Sequence, residues 1–135
     1  MSRITAFVAV AALAGLVAVP LAAAKPRTVS FTSVVTSYHQ SQTRYTSVGD
    51  LFQGGKKVGQ AHYACALSGN IGKCRAHARL PKGTIVFKYV YDFSSPAGPV
   101  TVTGGTKAYA GAHGTGTYTP LNAQDSRTAI KLHIQ

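Results

Sequence analysis

Acidic residues are almost missing from this 135-residue chain, which has no glutamate and only three aspartates, Asp50, Asp92 and Asp125. Against 14 lysines and arginines, they leave a formal net charge of +11. A charge this positive favours anionic partners such as cell-wall polymers, anionic lipid or acidic glycans, and it is equally explained by solubility through self-repulsion. Nucleic acid would match the charge, but no recognised nucleic-acid motif is present, so we expect no such partner.

Long apolar runs are also lacking, apart from one at the N-terminus. Arg3 supplies a positive charge, Ala6–Val19 is continuously apolar or small, and Ala22–Ala24 offers an A-x-A cleavage site. The run is shorter than the roughly 20 residues that span a bilayer, so residues 1–24 are predicted to be a secretory signal peptide. Residues 25–135 would then be one domain, secreted or periplasmic/extracellular, with no membrane insertion after cleavage.

Cysteine is scarce, with a single pair, Cys65 and Cys74. A lone pair at this spacing lacks the second half of a zinc site, and a catalytic dithiol would more often have the pattern C-x-x-C. In an exported chain of this size, two cysteines instead predict one disulfide that staples a hairpin. We therefore expect no metal and no cofactor.

Helical periodicity is absent after the signal peptide, and about eight segments alternate in the manner of strands, joined mostly by short turns. This pattern predicts an all-β protein, an eight-stranded antiparallel up-and-down β-barrel of the calycin-like kind. Closure removes exposed edges and leaves a lumen for one small ligand. A two-sheet sandwich is the alternative. Ser37–Ser47 has no clear period and is interpreted as a loop or ragged strand at a rim.

The clearest hairpin joins Val58–Leu67 to Lys73–Leu80. Placing Cys65 opposite Cys74 fixes its register and separates an apolar face from a strongly cationic one. A merely solvated face is one interpretation of the cationic side, and an anion-binding stripe is the functional one. The anion-binding candidates are Lys73, Arg75 and Arg79.

Two histidines face each other in the same register, His62 and His77. Two imidazoles with no carboxylate or third ligand make a weak metal signal, and the neighbouring arginines would repel a cation. We therefore predict no metal at this pair.

The strongest strand signal is Thr84–Phe93. One of its faces carries five large side chains, which are Ile85, Phe87, Tyr89, Tyr91 and Phe93. Such a face forms either the core or the wall of an apolar pocket, where tyrosine hydroxyls would supply hydrogen-bonding points. The candidate lumen residues are Tyr89, Tyr91 and Tyr63 of the hairpin.

Asp50 is the polar residue in the most unusual position, because it shares a strand face with the apolar residues Val48 and Phe52. If that face is interior, the carboxylate must be hydrogen-bonded, paired with a cation or protonated. Alternatively, Asp50 lies near a strand end and reaches solvent. In the first case it would be the polar anchor of the lumen.

The stretch Val48–Leu121 resembles the bacterial secreted relatives of the allene oxide cyclase/dirigent superfamily. The most specific part is the pattern GGT-x-x-Y-x-G-A-x-G, carried by Gly104, Gly105, Thr106, Tyr109, Gly111, Ala112 and Gly114. The resemblance implies an eight-stranded barrel whose lumen binds an apolar small molecule, with oligomers, often trimers, among plant members. Within it, Val100–Leu121 is predicted to be a sheet corner shaped by glycines, with no catalytic group.

The resemblance implies function less closely than fold. Plant cyclases of the superfamily use a lumenal glutamate, which this chain lacks, whereas dirigent proteins hold phenoxy radicals for stereoselective coupling. We therefore expect a dirigent-like barrel that binds a small apolar or phenolic ligand and guides its conformation or stereochemistry. One alternative is a non-catalytic basic protein that binds anionic cell-wall or glycan polymers. Another is an isomerase or cyclase of the allene oxide cyclase type, with Asp50 as its acid–base group.

Overall fold

The computed structural model describes residues 25–124 and 126–135, so the predicted signal peptide lies outside the described residues. Eight antiparallel strands pair in chain order, and the first pairs with the last to close a barrel. The strands are β1 (Arg27–Gln40), β2 (Arg44–Gln53), β3 (Lys56–Ser68), β4 (Ile71–Leu80), β5 (Gly83–Asp92), β6 (Gly98–Gly105), β7 (Gly114–Pro120) and β8 (Arg127–Ile134). The predicted up-and-down barrel is confirmed, and the sandwich alternative is wrong.

The segment Ser37–Ser47 is mostly strand rather than loop, because β1 continues to Gln40 and β2 begins at Arg44. A bulge explains the missing period. Val35 pairs with Gly49 and Ser37 with Val48, so one residue of β1 has no partner on β2. An extra residue on one strand reverses the alternation of side chains beyond it. The two strands therefore pair on both sides of the bulge, although the sequence of this segment has no clear alternation.

The β3–β4 hairpin has the predicted register. Cys65 lies opposite Cys74 and forms the predicted disulfide, with an S–S distance of 2.00 Å. His62 likewise faces His77. The alternation is clean along β4, where every second residue is buried and the residues between them are exposed.

The two ends of the barrel differ. We call the end that holds the first residues of β1, β3, β5 and β7 the closed end, and the opposite end the open end. Large apolar side chains fill the closed end, and several are completely buried, among them Leu51, Ile85, Phe87 and Leu132. The rings of Phe31 and Phe87 lie 6.5 Å apart there. Burying each such side chain contributes about 1.5–3 kcal/mol to stability.

The glycine-rich segment between β6 and β7 covers the closed end with a short 3-10 helix, Lys107–Tyr109. The Tyr109 side chain is buried, and the Arg27 guanidinium lies 4.6 Å from the centroid of its ring. Gly105 allows a close approach, because a Cβ atom there would lie 2.5 Å from the Tyr109 carbonyl oxygen. Val100–Leu121 therefore contains two strands, β6 and β7, which pair with each other, and the compact crossover between them covers one end of the barrel rather than turning the sheet at a corner.

The crossover is held to the strands by hydrogen bonds at Thr106. Its backbone N–H donates to the Thr84 carbonyl oxygen at 2.9 Å, and its Oγ1 accepts from the Thr84 N–H at 3.1 Å.

No helix among residues 25–124 and 126–135 has the length and apolar character needed to cross a membrane.

Candidate functional site: a tyrosine-lined cavity

The open end of the barrel encloses a cavity of about 240 Å³. Space remains there because several inward positions hold small residues, Ser33, Ser47 and Gly72, where the closed end has large apolar side chains. Protein cavities of about 150 Å³ hold benzene, so this one has room for about two fused rings, with further atoms projecting through the mouth. The site therefore suits one small molecule.

Aromatic side chains form one wall of the cavity. The ring centroids of Tyr89 and Tyr118 are 4.8 Å apart, and those of Tyr91 and Phe93 are 4.9 Å apart. The Tyr118 hydroxyl donates to the Val90 carbonyl oxygen at 3.0 Å, which fixes the orientation of its ring. Rings at these separations attract each other beyond simple area burial, so the wall is pre-formed.

The inner end of the cavity is a cluster of hydroxyl groups. The Tyr63 hydroxyl donates to Ser33 Oγ at 2.8 Å, and both residues are buried. Ser47, only 6% exposed, also lines the cavity, and its hydroxyl has no hydrogen-bond partner within the described part of the chain. We call Ser33, Ser47 and Tyr63 the hydroxyl cluster. It can accept from or donate to a polar atom of a ligand.

Gly49 makes room for the hydroxyl cluster. A Cβ atom at this position would lie 2.6 Å from Ser33 Oγ and 3.6 Å from the Tyr63 ring. Any larger residue would push Ser33 out of its place opposite Tyr63. The absence of a side chain at Gly49 is thus a requirement of the site.

Two tyrosines of the cavity, Tyr63 and Tyr89, remain neutral. Burial raises the pKa of Tyr63 to about 12, and the hydrogen bond with Ser33 only partly offsets this. Burial likewise raises the pKa of Tyr89, with smaller contributions from neighbouring tyrosines, of which Tyr63 is the largest. Both hydroxyls therefore keep their protons at physiological pH, so that Tyr63 donates to Ser33 and Tyr89 can donate to a ligand atom.

No carboxylate, imidazole, ammonium or guanidinium group occurs among the described residues that line the cavity. A charged ligand would lose its hydration there without gaining an opposite charge, which is strongly unfavourable. An uncharged molecule loses far less. The cavity is therefore suited to neutral, largely apolar ligands with one or a few polar atoms.

Asp50 does not lie in the cavity, and its prediction as a lumenal anchor is wrong. Gly49 and Leu51 occupy the inward positions of β2, so Asp50 lies on the outer wall. Its carboxylate is 21% exposed and pairs with Lys57 Nζ at 3.2 Å. The sequence misled because Gly49 adds no hydrophobic signal to the inner face, while the outer face carries Val48 and Phe52.

The other predicted lumen residues, Tyr63, Tyr89 and Tyr91, do line the cavity, and the disulfide Cys65–Cys74 forms part of its wall. The candidate anion-binding residues Lys73, Arg75 and Arg79 lie together on the outer wall and do not line the cavity. Sequence reasoning missed Tyr45 and Tyr118. Tyr45 lay in the segment interpreted as a rim loop, whereas Tyr118 shares a face with Gly114 and Gly116 and could have been found from that alternation.

Comparison of the sequence finds no matching family model and no matching curated protein. Comparison of the structure does find matches. The barrel superimposes on pyocyanin demethylase with a TM-score of 0.68 at 18% identity, over 81% of this chain and all of that one. It matches the pterocarpan synthase dirigent protein GePTS1 with a TM-score of 0.57 at 13% identity, over 82% of this chain and 83% of that one.

A third match is the Diels Alderase AbmU from Streptomyces koyangensis, with a TM-score of 0.59 at 13% identity over 83% of this chain and 70% of that one. Together these matches show that the chain shares its barrel fold with a demethylase, a dirigent protein and a Diels Alderase. Since fold does not imply function, what the barrel binds has to be argued from its own cavity.

Proposed function

We propose that this barrel binds a small, uncharged, apolar or phenolic molecule in its open-end cavity and guides the molecule's conformation or stereochemistry. The observation that carries the proposal is the combination of an aromatic wall, a hydroxyl cluster at the inner end and no charge among the described lining residues. Ligand pockets typically have this composition, being mostly apolar with a few fixed polar groups.

Each part of the cavity has its own role in the proposal. The rings of Tyr89, Tyr91 and Tyr118 stack against the flat face of the ligand. Ser33 and Ser47 meet its polar atom, and Tyr63 holds Ser33 in place through their hydrogen bond. Because these groups stand on paired strands rather than on loops, the bound molecule keeps one orientation. A reactive intermediate held this way would be limited to one face of attack.

Steering is better supported than proton-transfer catalysis. A cyclase or isomerase of the acid–base type needs a group that exchanges a proton near the working pH. Tyr63 and Tyr89 have raised pKa values and stay neutral, while Asp50 is paired with Lys57 on the outer wall. The described lining residues can therefore polarise a ligand oxygen by hydrogen bonding, and they supply no base.

The structural matches support a small-molecule role without fixing the ligand. Proteins named as a dirigent protein, a Diels Alderase and a demethylase share this barrel. The buried disulfide supports the proposed location outside the cytoplasm, since disulfides persist in oxidising compartments. A homo-oligomer, implied by the family resemblance, stays a prediction.

Binding of a matched pair of probes tests the proposal by native mass spectrometry and calorimetry. We expect 2-naphthol to bind with a stoichiometry of one per chain, and naphthalene-2-sulfonate, which has the same rings and a negative charge, to bind at least tenfold more weakly. The overall positive charge would favour the opposite order, so the result discriminates the cavity from the surface. Equal or tighter binding of the sulfonate would contradict the proposal. The same spectra report the number of subunits.

Two neighbouring substitutions locate the probe. Ser47→Leu adds volume inside the cavity and should abolish binding of 2-naphthol. Thr46→Leu makes the same kind of change at the adjacent, outward-facing position and should leave binding unchanged. Loss of binding in both variants, or in neither, would place the probe elsewhere.

A further inference from the structure

The outer wall of the barrel carries a concentration of positive charge that the cavity does not use. From Lys73 to Arg79 on β4, every outward side chain is basic or a histidine, and all are exposed. The neighbouring strand β5 adds one more cation. We call this group the basic stripe, and its members are Lys73, Arg75, Arg79 and Lys88.

Strand register concentrates the stripe further than the sequence suggests. Arg75 lies directly opposite Lys88 on β5. Directly paired residues have Cβ atoms about 4.5–5.5 Å apart, and like charges in such pairs destabilise a sheet. Arg44 of β2 flanks the stripe, because Ala66 lies between Arg44 and Lys73 in one row. The fold therefore brings cations from three strands onto one wall.

The stripe has no acidic partner within residues 25–124 and 126–135. The single salt bridge found there joins Asp50 to Lys57. The Asp92 carboxylate instead accepts hydrogen bonds from the backbone N–H and the hydroxyl of Ser94, at 2.9 and 2.6 Å. No salt bridge among the described residues therefore compensates the repulsion between Arg75 and Lys88, and an external anion would relieve it.

The shape and composition of the wall indicate which kind of anion fits. A shallow groove runs beside Arg75, and its sides include His39, His62 and His77. The outward positions of β4 and β5 hold no phenylalanine or tyrosine, and one exposed ring, that of Tyr38, lies in the groove. Single-stranded nucleic acids are bound largely by stacking of successive bases on several rings, and a single ring beside four or more cations favours recognition of charge. Arginine matches phosphate oxygens with two parallel hydrogen bonds.

The spacing along the stripe favours a linear ligand over a single small anion. Consecutive outward residues on a strand are about 6.6 Å apart, so Lys73 to Arg79 covers about 20 Å. One phosphate could contact only one or two of these side chains. A chain of phosphates could follow the whole row.

We propose that the basic stripe binds a linear polymer carrying phosphate charges, with Arg75 and Arg79 as its central contacts. The site lies on the outside of the barrel and is independent of the cavity, so the two can be occupied together. Such binding would hold the protein on a phosphate-rich polymer while leaving the open end accessible to its ligand.

The test compares two double charge reversals by fluorescence anisotropy with labelled long-chain inorganic polyphosphate. Arg75→Glu with Arg79→Glu changes the stripe. Arg127→Glu with Lys131→Glu makes the same change in net charge, at the same spacing, on exposed outward positions of β8 on the opposite wall. Binding by the first variant should fall at least tenfold more than binding by the second. The slope of log K against log[salt] should also fall by about two, roughly one for each lost phosphate contact.

Binding of 2-naphthol and the thermal midpoint control for folding, and they separate this proposal from the one on the cavity. Binding of 2-naphthol should be unchanged in the stripe variant, and its thermal midpoint should not fall, because Arg75→Glu replaces the repulsion from Lys88 with an attraction. Equal weakening in the two charge-reversed variants would overturn the proposal, because overall charge would then suffice. Tighter binding of heparin than of polyphosphate would overturn the phosphate preference. Tighter binding of an oligo-dT strand would show that bases contribute, and would also contradict it.

Discussion

The closed and open ends of the barrel are built from the same eight strands and have opposite interiors. Strand β5 shows the change most clearly, since Ile85 and Phe87 are completely buried while Tyr89 and Tyr91 line the cavity. Around them, Leu51 fills the closed end and Ser47 leaves space in the open one. The closed end therefore supplies stability, whereas the open end is less tightly packed and contains a cavity.

The largest effect should come from emptying the closed end. Phe87→Ala removes a completely buried ring and should reduce the free energy of unfolding by about 3–5 kcal/mol. Tyr91→Ala, at the less buried open end, should cause a clearly smaller loss. Urea unfolding of both variants measures the difference. Equal losses in the two variants would contradict the claim that the closed end contributes more to stability than the open end.

The seal over the closed end provides the next test. A Cβ atom at Gly105 would approach the Tyr109 and Thr84 carbonyl oxygens to 2.5 and 2.6 Å, whereas one at Gly104 would meet nothing within 4 Å. Gly105→Ala should therefore destabilise the protein by about 1–3 kcal/mol through overpacking against the backbone. Gly104→Ala, one residue away, should have little effect. Thermal unfolding of the two variants measures the difference in stability. An equal loss at both positions would contradict the close packing of Gly105 against Tyr109 and Thr84.

The hydroxyl cluster predicts a dependence of stability on alkaline pH. The pKa of Tyr63 is raised by burial to about 12 in the folded protein, against about 10 in the unfolded chain. The folded state therefore holds this proton more tightly. Its contribution to stability is complete below about pH 10 and is lost as the pH rises toward 12.

Tyr63→Phe should remove this part of the decline and reduce the free energy of unfolding near neutral pH by about 0.5–1.5 kcal/mol, the usual net contribution of one hydrogen bond. Chemical denaturation between pH 8 and about 12 compares the two proteins. Parallel pH profiles for wild type and Tyr63→Phe would show that Tyr63 is not buried as described.

A smaller change at the open end should affect binding without affecting folding. Ser47→Ala removes a hydroxyl that has no partner within the described part of the chain. The affinity for 2-naphthol should fall about fivefold, which corresponds to about 1 kcal/mol, while binding of naphthalene stays the same. Calorimetry with both probes makes the comparison. An equal loss for both would mean that the serine only shapes the cavity.

The smallest effect is expected at Asp50. Its ion pair with Lys57 is partly exposed, and such pairs contribute about 0–1 kcal/mol. Asp50→Asn should therefore leave the binding of 2-naphthol unchanged and shift the unfolding midpoint only slightly. A large loss of binding would contradict the position of Asp50 on the outer wall and would support its predicted role as the polar anchor of the lumen.

Local patterns made most of the fold predictable. The alternation along β4 and the pairing of Cys65 with Cys74 were sufficient for the hairpin and its register. The rim of β1 and β2 was harder, since a bulge between Val35 and Ser37 breaks the alternation on which the prediction rests. Strand order followed from short connections and the need to close the sheet.

The cavity was less accessible from sequence, for physical reasons. The bond between Tyr63 and Ser33 joins residues 30 positions apart, and it exists only after β1, β2 and β3 have paired in register. Aromatic residues such as Phe87 and Tyr89 look alike in a strand pattern, yet one fills the core and the other lines a space. That distinction depends on the size of the side chains facing them across the lumen.

The central claim is that the open end binds an uncharged aromatic molecule between the tyrosine wall and the hydroxyl cluster. A crystal structure of the protein soaked with 2-naphthol tests it most directly. We predict that the rings lie against Tyr89 and Tyr118, with the naphthol oxygen within hydrogen-bonding distance of Ser33 or Ser47. A cavity closed by collapsed tyrosine side chains, or naphthol found only on the outer wall, would contradict it.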